Sequence, residues 1–437
     1  MSIAINFEKY ERIAKSTRVL KESGKVTRVI GYLVEGYLPG ASIGSIADLA
    51  LSNGDRVEAE VIGLTDQKVL LMPFRDVQGI RLGSSIVLKR TVANVQVGSG
   101  LLGRVIDATG TPIDGKGPIV TTDEFPIYES FTNPLERPPI DEALQLGVRA
   151  LDGTITVGKG QRVGIMAGSG VGKSVLLGMM AKNTTADVNV IALIGERGRE
   201  VKEFIENVLG EEGLKRSIVV CVTGDQNALL RKRGAFLATA ISEYFAKQGN
   251  DVLLTMDSVT RFAMAQREIG LSAGEPPATK GYTPSVFALL PKLLERVGRF
   301  SNGSVTGLYT VLVEQDDMDD PIGDAVRSIV DGHIVLDRKL ASKAHFPAID
   351  VLQSASRVMN NIVDAPHMKN AMRLKEMLAT YKEAEDLINI GAYQQGTNPQ
   401  IDEAINLYPS IIQFLKQGMG ESTDFAQSVQ ILDSIVG

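Results

Sequence analysis

The sequence predicts an α/β protein in which a parallel sheet carries helices on both faces. A small β-barrel precedes the sheet and an all-helical region follows it. Three observations carry this. Between about residues 90 and 364, apolar runs rich in β-branched residues ("RVGIMAG", "VNVIALIG", "SIVVCVTG", "DVLLTMD", "GLYTVLVE") alternate with helical stretches, the pattern of strands buried on both faces. From Lys25 to about Leu88 the apolar runs are short and separated by turn signals. After Ala365 only helical periodicity remains.

Each part is justified in chain order. Phe7, Tyr10, Ile13, Ala14 and Leu20 recur at helical spacing, with Lys9, Arg12, Lys15 and Arg18 between them, so residues 7–22 read as an amphipathic helix. Next, "VTRVIGYLV", "SIGSIADLAL", "RVEAEVIGL" and "KVLLMPF" read as strands, with turns at Asn53-Gly54-Asp55 and Thr65-Asp66-Gln67. Strands this short and evenly spaced suit a barrel or sandwich. At the far end, "HMKNAMRLKEMLATYKEAEDLINIG", "PQIDEAINLYPSIIQFLKQG" and "TDFAQSVQILDSIV" read as helices, with Gly391 and Gly418 as stops. The expected division is 1–24, 25–90, 91–364 and 365–437. For 437 residues the length prior is about three domains.

Composition removes several function classes. The net charge is −6, and the barrel region shows no aromatic ladder, so a nucleic-acid partner is not expected. Cys221 is the only cysteine, which excludes an internal disulfide and fits a reducing compartment. Within "SIVVCV" it reads as a core thiol. His333, His345 and His367 make no metal-ligand spacing. No secretory leader or membrane-length apolar run is recognisable, so the expected location is the cytoplasm.

The chemistry begins at Ala167-Gly168-Ser169-Gly170-Val171-Gly172-Lys173-Ser174, after the strand "RVGIM" and at the head of the helix "SVLLGMMAKN". This is phosphate-loop spacing with Ala167 in place of the first glycine. The glycines let backbone N–H groups converge on a phosphate. The helix N-terminus adds partial positive charge. Lys173 can reach the terminal phosphates and the Ser174 hydroxyl can bind Mg²⁺.

Two carboxylates accompany the loop. Asp257 ends the strand "DVLLTMD", where it can order the water shell of Mg²⁺. Glu196, in "VIALIGERGRE", follows an apolar run and can orient an attacking water; a helix-start Glu favouring the dipole is the plainer alternative. Arg197 and Arg199 can pair with phosphate or with a neighbouring subunit.

Beyond these motifs, "DVLLTMDSVTRFAMAQREIG", "AGEPPATKGYTPSVFALLPKLLERVG", "GLLGRVIDATGTPIDGKGPI" and "DMDDPIGDAVRSIVDGHIVL" closely resemble the flagellar protein-export ATPases. They also resemble the type III secretion ATPases of virulence injectisomes, both relatives of the catalytic subunits of rotary ATP synthases. The resemblance runs from about Lys25 to the C-terminus. It implies a RecA-like P-loop core between an N-terminal β-barrel and a C-terminal helical domain, working with ATP and Mg²⁺ as a homohexameric ring. Lys173 and Ser174 would hold phosphate and metal, with Val175 following them. Glu196 would be the catalytic carboxylate, with Arg197 beside it, and Asp257 the metal-side aspartate. "SASR" would place Arg357 as a finger into the neighbour's site. Phe346 would stack on adenine.

The implied function is ATP hydrolysis energising type III export, of flagellar components first, with injectisome secretion or rotary synthesis as alternatives. The implied partners are a stator-like regulator at the N-terminal helix, a central stalk, export chaperones and the export gate, with peripheral attachment to the inner membrane. Two residues depart from the family pattern. Gln315 stands where Gly is usual, and Lys280 where Arg is usual.

Overall fold

The computed structural model describes residues 22–65, 67–128, 133–313 and 320–437. The amphipathic stretch 7–22, except its last residue, and Gln315 lie outside them. The chain divides into two compact units, one up to Ala93 with Ser272–Gly274, the other Asn94–Leu271 with Glu275–Gly437.

The first unit is a closed antiparallel barrel of β1 (Ser23–Ile30), β2 (Leu33–Tyr37), β3 (Ile46–Ala50), β4 (Arg56–Thr65), β5 (Lys68–Pro73) and β6 (Ser85–Arg90). Its strand order is β1-β2-β5-β4-β3-β6. The run "VTRVIGYLV", read as one strand, is a hairpin: Val29 pairs with Val34 across a turn at Gly31. At the predicted 53–55 turn, Asn53 Oδ1 accepts the Asp55 N–H at 3.0 Å, an Asx-type closure. Alternation along the strands buries Val34, Leu49, Val61, Leu71 and Ile86 inside.

The second unit is built on a nine-stranded sheet. We label its strands β7 (Arg104–Ile106), β8 (Arg162–Ala167), β9 (Val188–Glu196), β10 (Ser217–Thr223), β11 (Asp251–Asp257), β12 (Ser304–Leu312), β13 (Gly332–Leu336) and β14 (Ala355–Ser356). The order is β14-β13-β8-β12-β11-β9-β10-β7, and Gly298–Arg299 pairs with β12 as the ninth strand. Neighbours from β13 to β7 are parallel, while β14 runs antiparallel to β13. The five predicted strands are present. The short β7 and β13 were not read as strands, because three and five residues carry little periodicity.

Helices α1 (Lys173–Asn183), α2 (Gly198–Glu203), α3 (Ala228–Lys247), α4 (Val259–Ser272) and α5 (Pro321–Ile329) lie among these strands in the sequence. The last three helices are α6 (Ala365–Asn389), α7 (Pro399–Leu415) and α8 (Phe425–Val436). Each starts at a side-chain cap: Asp364, Asn398, and Asp424 in a capping box with Gln427. Gly391, at φ 69°, follows the end of α6.

One continuous core joins sheet and helices: Ile165, Leu177, Leu193 and Leu253 share it with Leu374, Leu378, Phe414 and Leu432. Polar ties cross the same junction. His367 Nε2 lies 2.8 Å from the Gly153 carbonyl, and the Gln417 N–H donates to the Phe346 carbonyl at 2.9 Å. Phe346 is thereby anchored to the C-terminal helical region. Cys221 is buried in β10, and its burial pushes the thiol up to about 11, as a core thiol requires.

Candidate active site

Parallel register brings the chemistry to one edge. β8 ends at Ala167, β9 at Glu196 and β11 at Asp257, so all three motifs emerge at the carboxyl ends of parallel strands of one sheet, with only β12 between β8 and β11, where open α/β sheets bind ligands. From Ala167 the chain turns through Gly168 and Ser169. Gly170 (φ 78°) and Gly172 (φ 88°) take left-handed conformations; Gly168 does not. A Cβ at either of the first two would be strained. Gly172 then caps α1, whose first residue is Lys173. Val171 is buried beneath the loop, while Ser169, Gly170 and Ser174 are exposed and Val175 is half-buried. The loop therefore exposes Ser169, Gly170 and the Ser174 hydroxyl, while the Lys173 side chain, 12% exposed, turns inward to the two carboxylates.

Lys173 Nζ lies 2.5 Å from Asp257 Oδ1 and 3.7 Å from Glu196 Oε1. Burial and the nearby charge of Asp257 push the Glu196 carboxyl up to about 7, against the opposing pull of Lys173. The neighbouring Glu200 carboxylate adds to the upward push. A carboxyl poised near neutrality can accept a proton from water at cellular pH. Gly195, at φ 76°, turns the chain just before it, and an added Cβ there would lie 2.7 Å from Arg261 Cβ.

The remaining predicted residues divide. Phe346 joins the site: a Cβ on Gly172 would lie 3.6 Å from its ring, which is 47% exposed. Arg197 stays at the margin, its side chain 87% exposed and 3.5 Å from Glu200. Arg357 does not join. Its N–H donates to the Asp331 carbonyl at 2.9 Å, and Asp331 N–H donates in turn to Arg162. Arg357 is thus level with the amino end of β8, the opposite end of the sheet. Sequence reasoning missed Thr310, Arg261 and Glu200 at the site. None of the three was signalled by spacing, since Glu196 ends β9 and α2 begins only at Gly198.

The donor set fits a magnesium nucleotide. No group of three or more His, Cys, Asp or Glu among the described residues could hold a metal unaided. Mg²⁺ is commonly held through one or two carboxylates plus substrate phosphates, and Asp257 and Ser174 are the oxygen donors at hand.

A phosphate loop, two strand-end carboxylates and a parallel sheet with this strand order define a P-loop nucleotide hydrolase of the RecA-like class. The profile of the ATP synthase alpha/beta family matches over residues 26–89 (beta-barrel domain) and 147–356 (nucleotide-binding domain). The profile of the T3SS EscN ATPase C-terminal domain matches residues 363–434. The chain is 55% identical over 419 residues to the flagellum-specific ATP synthase of Bacillus subtilis, covering 95% of this chain and 96% of that one. It is 52% identical to the protein of the same name from Treponema pallidum, over 98% of this chain and 96% of that one. With the type 3 secretion system ATPase of Sinorhizobium fredii it shares 49% identity over 94% of this chain and 91% of that one. The assembled ATPase EscN of the enteropathogenic E. coli type III secretion system superposes with a TM-score of 0.89 at 46% identity, over 95% of this chain and 100% of that one. The chain belongs to the family of flagellar and type III secretion ATPases.

Proposed function

We propose that this protein hydrolyses ATP as a homohexameric ring that drives type III export, of flagellar components in particular. One observation carries the ring. Lys173, Glu196 and Asp257 gather at the carboxyl ends of the strands, whereas Arg357 sits level with Arg162 at the amino end of β8. Five residue steps of extended strand lead from Arg162 to Ala167, about 16 Å at ~3.3 Å per residue. Arg357 therefore serves a phosphate held by a second copy. Assembly of such chains is supported by the EscN structures, one of the assembled ATPase and one in complex with its central stalk EscO, the latter matching at TM-score 0.88.

In each site the loop N–H groups and Lys173 bind the phosphates. Bound Mg²⁺ neutralises phosphate charge, with Ser174 and Asp257 on its side of the site. Phe346 offers its exposed ring face to adenine. Glu196 holds the attacking water and takes its proton at a carboxylate oxygen. Arg357 of the adjacent copy stabilises charge that develops on the transferring phosphoryl group.

The export reading draws on the flagellum-specific relatives at 55% and 52% identity. On this reading the ring works in the cytoplasm at the inner-membrane export apparatus, with a central stalk, chaperones and an export gate as partners. No described helix is long and apolar enough to cross a membrane, which suits a peripheral attachment. Deleting the gene should abolish swimming and the export of flagellar subunits, and the wild-type copy should restore both. Intact motility in the deletion strain, with loss of effector secretion instead, would assign the protein to an injectisome.

A further inference from the structure

Thr310 lies on β12, the strand between the phosphate-loop strand β8 and the Asp257 strand β11. It pairs with Ile165 on one side, and its neighbour Tyr309 pairs with Met256 on the other. The residue is fully buried. Its Oγ1 stands 2.8 Å from Asp257 Oδ1 and 3.2 Å from the Met256 carbonyl. A hydroxyl has one proton to give, and the charged carboxylate is the stronger acceptor. Valine would fill the same volume and suit the strand equally, so the hydroxyl is not there for packing.

Asp257 Oδ1 is engaged twice, by Lys173 Nζ at 2.5 Å and by Thr310 Oγ1 at 2.8 Å. Among the described residues Oδ2 accepts no hydrogen bond. Lys173 must also serve a phosphate. Thr310 has no such second task.

We infer that Thr310 is a positioning residue for Asp257: its hydroxyl fixes Oδ1 and leaves Oδ2 for the hydration shell of the nucleotide's Mg²⁺. The inference rests on the metal-side reading of Asp257. Outer partners of this kind set carboxylate orientation, and their loss lowers metal affinity by about 10- to 100-fold.

The test uses a fluorescent ATP analogue bound to the full chain, once with Mg²⁺ and once with EDTA. The ratio of the two affinities isolates the metal's contribution from that of the loop. Thr310→Val should lower this ratio about tenfold and leave the EDTA affinity unchanged, whereas Thr310→Ser should keep the wild-type ratio. Ser and Ala at this position differ only in the hydroxyl. Comparing these two decides the matter even where the Val protein fails to fold. If Asp257→Asn loses the ratio while the Val and Ala proteins keep it, Thr310 does not position the carboxylate. If Asp257→Asn itself keeps the ratio, the metal-side reading of Asp257 fails first.

Discussion

Lys173 and Asp257 form the shortest link in the site: the ammonium stands 2.5 Å from Oδ1, with Glu196 Oε1 3.7 Å away on the same nitrogen. One cation thus faces two carboxylates in a partly buried setting. Burial first, and the nearby Asp257 carboxylate second, weigh against ionising Glu196. Asp257 receives the short contact and the Thr310 hydroxyl. Glu196 bears the cost, and its carboxyl is held near pH 7 rather than 4.5.

A pH dependence follows. In its proposed role as base, Glu196 can act only when ionised. ATP hydrolysis should therefore climb as pH rises through about 7, well above the range of an ordinary Glu. Glu196→Gln should still bind ATP and should lose turnover by about 10²- to 10⁴-fold. Stability runs the other way. A folded pKa above the unfolded one favours the folded state at low pH, and that gain is lost as pH rises from 4.5 to about 7. The Gln protein should lack this slope and melt above wild type at pH 8. A rate profile flat from pH 5.5 to 8 would refute the assignment of Glu196 as base.

Gly195 supplies a second prediction. Its φ of 76° and the 2.7 Å approach of Arg261 to any added Cβ leave no room for a side chain. Gly195→Ala must move either the strand end or the Arg261 stem, and Glu196 is the next residue. A shift of about 1 Å in a catalytic group can cost about 10²-fold in rate. The Ala protein should keep its circular dichroism spectrum and bind ATP, with kcat reduced about 10- to 100-fold. Wild-type kcat would mean that this turn does not govern the position of Glu196.

How much of this was legible depended on where each residue lies. The phosphate loop, Glu196 and Asp257 stand at ends of long apolar strands, where a break in hydrophobic pattern is conspicuous. The resulting α/β architecture, with an all-helical C-terminal region, was readable for the same reason. Phe346 and Arg357 carry no signal in spacing; only resemblance to a family singled them out. Thr310 is the opposite case. Inside "GLYTVLVE" a threonine looks like any β-branched strand former, and its hydroxyl gains meaning only when β11 is laid beside β12. Arg261 was hidden similarly, since its contact with Gly195 joins α4 to β9. The "VTRVIGYLV" hairpin was read as one strand because its turn, at Gly31 and Tyr32, interrupts the apolar run with a single glycine and an aromatic.

The separation of Arg357 from Lys173 yields the last prediction. Along β8 the two belong to opposite ends, and Arg357 is tied down there: its N–H bonds Asp331 and its Nη1 bonds the Val330 carbonyl at 3.2 Å. Arg357→Ala should therefore leave the chain folded and able to bind ATP, yet lower turnover by about 10³- to 10⁵-fold. Lys173→Ala should be inactive for a different reason, loss of phosphate binding. Neither protein alone contains a complete site. Mixed, they can form one wherever an Arg357→Ala subunit, with its Lys173 intact, meets the Arg357 of a Lys173→Ala neighbour. Equimolar mixing should restore measurable ATPase activity, and dilution below the assembly concentration should remove it again. Activity that never returns on mixing, under conditions where light scattering shows joint rings, would place the guanidinium outside the neighbour's reaction.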